Sequence, residues 1–185
     1  MEKTIIRDAV TEDIEQLINI YAYYVRNTAV TFDYEIPSFE VFEEHMMKIM
    51  EKYPWLVLEK EGKILGYAYA GPFVGRGAYQ WSAEVSIYLD PVYLHQGLGR
   101  QLYLALEDAL KEMGVLNLYA CIGYPEEEDI YLTKNSAEFH QHLGFRRVGE
   151  FYRCGYKFKK WYNMIWMEKI IGPHDDRPIP VISHR

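Results

Sequence analysis

The segment that most constrains this chain joins a strand to a helix through a short turn that contains two glycines. Residues 84–91 read EVSIYLDP, and QGLGR follows at 96–100. Apolar residues at alternate positions predict a strand that ends at Pro91, and the glycines predict a turn into an amphipathic helix. Because the first amides of a helix lack intrahelical partners and the helix dipole is positive there, this turn favours a phosphate or pyrophosphate ligand.

Two common phosphate loops do not fit this turn. A P-loop requires Lys and Ser or Thr after its second glycine, and the dinucleotide fingerprint requires Gly or Ala where this chain has Leu102. On the glycines alone, a tight turn without any ligand is the favoured interpretation.

The composition is that of one soluble domain. The 185 residues carry 27 acidic and 20 basic side chains, a balance of −7 that disfavours nucleic acid and anionic membrane surfaces as partners. No apolar run approaches the ~18 residues of a membrane span. The two cysteines, Cys121 and Cys154, have no metal-type spacing, and no secretory signal is found. We therefore expect a cytoplasmic protein without a metal, in which Cys121 fills space within a strand.

Hydrophobic periodicity predicts strands and helices in alternation along the chain. Thr11 is expected to cap the first long helix, and the strand at 115–122 is expected to be buried on both faces. Because hairpins and crossovers both occur, we predict an α/β (α+β) fold with a mixed sheet flanked by helices. The predicted strands are 4–7, 55–59, 64–70, 83–89, 115–122 and two aromatic-rich strands ending near 171; the predicted helices are 11–27, 38–50, 99–113 and 135–143.

The glycine turn and a later motif together resemble a known family. After the turn, its helix and a further strand, the chain has Asn135, His140 and Gly144-Phe145 in the pattern N-x4-H-x3-GF, which resembles the GNAT superfamily of acetyl-CoA-dependent N-acetyltransferases. Segments 53–57 (YPWLV), 66–72 and 84–88 are similar, more narrowly, to phosphinothricin and methionine sulfoximine acetyltransferases. The resemblance implies a mostly antiparallel central sheet with splayed central strands, an N-acetyltransferase domain at 1–171, an irregular tail with several prolines at 172–185, and a homodimer.

The resemblance also implies where coenzyme A binds. Asn135 would contact the coenzyme, and a helix N-cap is its open alternative. One departure is Leu94, where the family usually has Gln or Arg. The strand implied to bind the pantetheine arm is Ile87, Tyr88 and Leu89, and the main-chain amides implied to hold the pyrophosphate are those of Gln96, Gly97, Leu98, Gly99, Arg100 and Gln101.

Two residues match catalytic positions of the family. Glu84 would accept a proton from the attacking amine, and strand alternation places it on one face with Ser86 and Tyr88. Without the resemblance, Glu84 reads as a solvated strand residue. His140 stands where relatives place the group that protonates the departing thiolate, and an ordinary, partly buried helix histidine is its alternative.

The resemblance places an acceptor pocket around Arg76, whose guanidinium could bind the carboxylate of an amino acid. Phe32, Tyr79 and Lys157 are candidate lining residues, and Val74 occupies the family's second basic position. The implied acceptor is a small amino-acid-like amine of the phosphinothricin or methionine sulfoximine or sulfone type. Two alternatives stay open: acetylation of a protein N-terminus or lysine, and a non-catalytic acyl-CoA-binding sensor domain.

Overall fold

A computed structural model describes residues 4–184 as one mixed sheet with helices on both faces. The strand order in the sheet is β1-β2-β3-β4-β5-β7-β6, and within the described residues only β4 and β5 pair in parallel. The predicted mixed, mostly antiparallel α/β fold is therefore confirmed. The strands are β1 Ile5–Asp8, β2 Trp55–Lys60, β3 Lys63–Pro72, β4 Ser82–Leu89, β5 Asn117–Tyr124, β6 Arg146–Lys157 and β7 Lys160–Ile170, and the helices are α1 Ile14–Asn27, α2 Phe39–Met50, α3 Leu98–Met113 and α4 Asn135–His142.

The parallel pair β4 and β5 separates soon after it begins. Ser82, Ala83 and Glu84 pair with residues 117–119, and the remaining five residues of β4 have no partner on that side. The other edge of β4 stays paired with β3 along its length, from Ala83 to Leu89. The splayed central strands that the family resemblance implied are therefore present, and they open a cleft at the middle of the sheet.

The two faces of the sheet are covered by different helices. Helix α3 packs on one face with Leu102, Leu106 and Leu110 fully buried, as their spacing predicts. Helices α1 and α2 pack on the other face, against side chains of β2 and β3 that include Trp55 and Tyr67. Because strand side chains alternate between faces, Glu84, Ser86 and Tyr88 project toward the side of α1 and α2.

Three local expectations are wrong. Strand β5 starts at Asn117 and buries alternate residues, so one face is covered where burial of both was expected. Cys121 is exposed and does not fill a strand interior. The start of α1 is preceded by a 3-10 turn at Thr11–Asp13, in which the carboxylate of Asp13, rather than Thr11, accepts the Val10 amide at 2.9 Å.

The C-terminal segment after β7 has no helix or strand through residue 184, yet it is attached to the domain. The Trp81 indole donates to the Ile179 carbonyl at 2.8 Å, and the Ile182 amide donates to the Met113 carbonyl at 3.0 Å. The predicted boundaries at residues 1 and 185 lie outside the described residues. Among the described residues, none of the helices has the length and apolar character needed to cross a membrane.

Glu107 links α3 to β7 and supports a prediction about stability. Its two carboxylate oxygens accept Lys111 Nζ at 2.7 Å and Lys169 Nζ at 2.5 Å. Burial opposes ionisation, but the two lysine hydrogen bonds bring its pKa below the ordinary value. We expect Glu107→Gln to lower the free energy of unfolding in urea by about 1–3 kcal/mol at neutral pH.

The sign of the pH dependence follows from the lowered pKa of Glu107. Its contribution is present above the unfolded-state value of about 4.3 and is lost as the pH falls through the folded-state pKa, so the difference between the variant and the native protein should shrink in acid. The exposed residue Glu112 provides the matched control, Glu112→Gln. Equal destabilisation by both variants would contradict the assignment.

Candidate active site

The glycine turn before α3 presents free amides. Gly97 has φ 76° and precedes the helix, and the first helical hydrogen bond runs from the Gln101 amide to the Gly97 carbonyl at 3.3 Å. The amides of residues 98–100 therefore lack intrahelical acceptors and point along the helix axis. His95 also has a positive φ, of 60°, so the backbone of the turn bends sharply just before the helix. This arrangement fits a phosphate or pyrophosphate.

The two glycines of the turn serve different purposes, which refines the sequence-based explanation. Gly97 has open space around it and is required for its left-handed backbone. A Cβ at Gly99 would lie 3.2 Å from the Leu89 side chain and 3.3 Å from the Phe139 ring. Gly99 therefore allows α3 to pack closely on β4 and α4. Gln96, Arg100 and Gln101 are exposed beside the turn, and Leu94 is 39% exposed.

The cleft between β4 and β5 has a cavity volume of about 60 Å³, and Ile87, Tyr88 and Cys121 are among its lining residues. Beyond Glu84, β4 has no partner on this side, so its backbone groups can pair with an extended ligand as an added strand would. The Leu89 carbonyl is held by the Tyr24 hydroxyl at 2.6 Å. An anion site at the start of α3 and a cleft with free backbone groups fit the diphosphate and the extended arm of acetyl-CoA.

Glu84 is the ionisable residue that lies at the point where the strands separate. It pairs with Gly71 on β3 and with Tyr119 on β5, and its side chain is half-buried. Burial raises the pKa of its carboxyl above the ordinary value. Its charge also helps to raise the pKa of Tyr69 and of Cys121, which places both side chains near it. A partly desolvated carboxylate at the end of a cleft suits a general base.

His140 is buried in α4 and also lines the cleft. Its Nδ1 lies 2.7 Å from the Ser136 carbonyl. Because a carbonyl can only accept, Nδ1 carries the proton and Nε2 has the lone pair. Three aromatic rings pack against the imidazole, with their planes nearly perpendicular to it. Burial lowers the pKa of the imidazole to about 4. The packed rings are those of Tyr103, Phe139 and Phe145.

We expect the His140 imidazole to stay neutral from about pH 5.5 to pH 9, because its folded pKa lies well below its usual range. Nitrogen-detected NMR of histidine-labelled protein should show one imidazole in the Nδ1–H form whose shifts are constant over that range. The exposed residue His142 provides the internal comparison. An imidazole at position 140 that titrates near pH 6.5 would contradict the expectation.

Asn135 is the first residue of α4 and is exposed, while the N-cap position belongs to Lys134. The alternative in which Asn135 serves as an N-cap is therefore wrong. Its side chain is free of the capping role and remains a candidate for contact with the coenzyme.

The candidate acceptor residues lie in two places. Arg76 and Tyr79 are exposed in the loop that follows β3. The Tyr79 ring packs on Phe73 at 5.8 Å, and Phe73 stacks on Tyr119 at 4.2 Å. Since Tyr119 pairs with Glu84, this aromatic series connects the loop to the candidate base.

Phe32 and Lys157 stabilise the segment between α1 and α2. The Phe32 ring occupies the space above Gly155, where a Cβ would come within 2.6 Å of it. Lys157 is 3% exposed and donates to the Thr31 carbonyl at 2.8 Å, and burial lowers its pKa. Neither residue lines the cleft.

The sequence interpretation missed an aromatic group on the Glu84 face of the sheet. Trp55, Tyr67 and Tyr69 project toward α1 and α2, and Tyr67 pairs across the sheet with Tyr88. The period-two spacing of Tyr67 and Tyr69 in β3 is the signal that could have indicated a shared face. Among residues 4–184, no cluster of His, Cys, Asp or Glu is arranged to hold a metal ion.

Comparison with known proteins identifies the relatives of this chain. The family described as "Acetyltransferase (GNAT) domain" matches residues 6–166. A phosphinothricin N-acetyltransferase from Streptomyces viridochromogenes is 30% identical over 179 residues, covering 96% of this chain and 94% of the relative. An L-methionine sulfoximine/L-methionine sulfone acetyltransferase from Salmonella typhimurium is 27% identical, covering 91% of this chain and 95% of the relative.

A solved structure shows the same architecture. The crystal structure of a GNAT superfamily phosphinothricin acetyltransferase from Sinorhizobium meliloti in complex with AcCoA matches with a TM-score of 0.84 and 30% identity. The match covers 91% of this chain and 89% of that one.

Proposed function

Because this chain belongs to the GNAT family of acetyl-CoA-dependent acetyltransferases, we propose that it acetylates the amine of a small amino-acid-like acceptor, with Glu84 as general base. The observation that carries the proposal is the position of Glu84 in the last pair of the β4–β5 ladder, where the strands separate, on the strand whose free backbone beyond it borders the cleft. In this proposal, one strand carries both the base and the backbone that aligns the coenzyme arm.

Acetyl-CoA supplies an activated thioester carbon when bound. The chain contributes the remaining functions: the amides at the start of α3 hold the pyrophosphate, and the backbone of Ile87, Tyr88 and Leu89 aligns the pantetheine arm. Ionised Glu84 accepts a proton from the acceptor ammonium, directly or through water, and leaves a neutral amine able to attack.

The attack is direct in our proposal. Cys121 is the thiol nearest to the chemistry; its side chain is accessible through the cleft, but partial desolvation by the cleft walls, followed by the charges of Glu84 and Cys154, raises its pKa to about 11. A thiol with that pKa is protonated at neutral pH and is a poor nucleophile, so no covalent acetyl-enzyme is needed.

His140 remains the candidate second catalytic residue, beside the leaving thiol. Its Nδ1–H donates to the Ser136 carbonyl, so Nε2 carries no proton in the neutral ring. Because the imidazolium form is scarce at neutral pH, proton delivery from Nε2 would be slow. We therefore assign the larger catalytic effect to Glu84.

The acceptor class is proposed from the relatives and from Arg76. Curated relatives are named for phosphinothricin and for methionine sulfoximine or sulfone, which are all amino acids. Arg76 is exposed in the loop that leads to Glu84 and could bind an amino-acid carboxylate with two parallel hydrogen bonds. Tyr79, in the same loop, would line this region, while Phe32 and Lys157, which do not line the cleft, would support it from the segment between α1 and α2.

We also propose a cytoplasmic homodimer whose domain spans 1–171 with a tail at 172–185. Large aromatic side chains of the β6–β7 hairpin are exposed in a single chain, which suits burial against a second copy. Analytical ultracentrifugation should give twice the mass of one chain, and a monomer at micromolar concentration would contradict the dimer. The exposed aromatic residues are Phe151, Tyr152, Tyr156 and Trp161.

The function is tested with a panel of amino acids and simple amines, following thiol release from acetyl-CoA. Release with free amino acids supports the proposal. Faster labelling of intact proteins than of amino acids would favour the protein acetyltransferase, and tight acetyl-CoA binding without thiol release from any amine would favour the sensor domain.

A further inference from the structure

A second cavity lies on the Glu84 face of the sheet, between the sheet and helices α1 and α2. It encloses about 280 Å³, and most of its wall is aromatic. We call it the aromatic cavity; its rings include those of Tyr21, Phe42, Trp55, Tyr67, Tyr69 and Tyr88.

The rings of the aromatic cavity form walls in several planes. Phe42 stands edge-on to Trp55 at 5.6 Å and to Tyr67 at 6.4 Å, while Tyr21 stands edge-on to Tyr88 at 5.1 Å. The faces of aromatic rings carry partial negative charge and attract cations, most strongly when the cation is desolvated. Trp55 and Tyr69 stack on each other at 4.0 Å, so one face of each is covered, and the ring faces that remain favour an ammonium or guanidinium group.

Among the polar groups of the aromatic cavity, Asp33 has the same preference, whereas the buried Trp55 indole N–H, which has no partner among the described residues, favours a hydrogen-bond acceptor. Asp33 lines the cavity, and its Oδ2 accepts the Tyr21 hydroxyl at 2.5 Å. No Lys or Arg lines it, and Lys157, whose ammonium interacts with Asp33, donates instead to the Thr31 carbonyl. The lining residue His45 has its pKa lowered by burial and by Lys48, which favours the neutral ring. The cavity thus holds one carboxylate and no permanent cation.

Two tyrosines of the cavity lie deep in the fold. Tyr67 and Tyr88 both line the aromatic cavity, and Tyr67 is only 1% exposed. Burial, followed by the neighbouring tyrosines, raises both pKa values, so the hydroxyls stay neutral and can accept a hydrogen bond.

The aromatic cavity lies within reach of the candidate base. Tyr69 pairs with Ser86 and Tyr67 pairs with Tyr88 across the β3–β4 ladder, and Glu84 is on the same face. Every second residue of a strand is about 7 Å further along, so a group at Glu84 and a group beside Ser86 or Tyr88 are separated by roughly 7–13 Å. The extended side chain of lysine or arginine matches the lower end of this range, at the Tyr69–Ser86 pair. Tyr88 also lines the cleft, which makes the two spaces neighbours.

We propose that the aromatic cavity binds the cationic end of the acceptor's side chain, so that the preferred acceptor is an amino acid with a side-chain ammonium or guanidinium. The inference rests on the proposed function for the reaction at Glu84. Asp33 disfavours an anionic side chain such as a phosphinate, whereas a neutral sulfone meets no opposing charge.

The test compares L-lysine, its uncharged analogue L-norleucine and L-glutamate by calorimetric titration into the protein saturated with coenzyme A. We expect lysine to bind about tenfold more tightly than norleucine, and glutamate to bind most weakly. Norleucine or glutamate binding as tightly as lysine overturns the inference in the native protein, without any variant.

Variants then locate the effect. Asp33→Asn should reduce the lysine-to-norleucine affinity ratio about tenfold, while Asp108→Asn, an exposed carboxylate on α3, should leave it unchanged. An unchanged ratio in a folded Asp33→Asn variant places the cation elsewhere and overturns the assignment.

Thiol release measured on the same mixtures separates the two proposals. Selective lysine binding without thiol release from any amino acid contradicts the proposed reaction while the cation site stands. Thiol release with neutral amino acids only, and no preference for lysine in binding, supports the reaction and overturns the cation site.

Discussion

Replacing Glu84 with glutamine is expected to lower kcat by about 10²–10³-fold, because the amide keeps the shape of the side chain but cannot accept the ammonium proton. The effect should appear at saturating acceptor, with the dissociation constant for acetyl-CoA unchanged, since the coenzyme contacts assigned here lie on β4 beyond Glu84 and at the start of α3. Steady-state kinetics and calorimetry measure the two quantities.

The pH profile provides a second readout of Glu84. Burial raises its pKa, so the ionised base is lost at a higher pH than for an ordinary glutamate, and native kcat/KM should fall there as the pH decreases. Glu84→Gln should lack that limb, and Glu112→Gln on the exposed end of α3 should keep it. Full turnover by Glu84→Gln with an unchanged profile would remove Glu84 from the mechanism.

A methyl group at Gly66 is expected to damage the cleft from the other side of β4. Gly66 pairs with Leu89, and a Cβ there would collide with the Leu89 side chain and lie 2.9 Å from the Tyr88 carbonyl. Since the carbonyl is backbone, β4 must move as well. We expect Gly66→Ala to cost about 1–3 kcal/mol of stability, measured by urea unfolding.

The same displacement should weaken acetyl-CoA binding by about tenfold or more, because Tyr88 and Leu89 belong to the backbone assigned to the pantetheine arm. Gly149 in β6 is a matched control, since a Cβ there meets nothing within 4 Å. If Gly66→Ala and Gly149→Ala bind acetyl-CoA equally, the cleft edge of β4 is not the binding surface.

Local patterns were sufficient to predict most of the fold. The period-two strand at 83–89, the glycine turn and the leucine spacing of α3 each act through neighbours in sequence, and the structure has all three. The opening between β4 and β5 was expected only from the family resemblance, because it depends on how far two distant strands remain paired.

The details that the sequence did not predict depend on tertiary contacts. The neutral state of His140 results from the rings of α3 and of the turn after α4 that enclose it. The spacing of His140 along α4 does not predict that these rings lie against it. Lys157 is a candidate lining residue by resemblance, and its burial, with its ammonium donating to the Thr31 carbonyl, depends on the segment before α2 that covers it. The aromatic cavity likewise combines residues from five separate elements and one loop.

The most direct test of the central claim follows one turnover of the native enzyme. Enzyme, acetyl-CoA and an amino acid that releases thiol in the panel are mixed, quenched at short times and analysed by mass spectrometry for product and for intact protein. We expect N-acetyl amino acid and free coenzyme A to appear together in equal amounts, with unmodified protein at every time. An acetylated protein that forms before the product and decays into it, for example at Cys121, would contradict direct transfer assisted by Glu84.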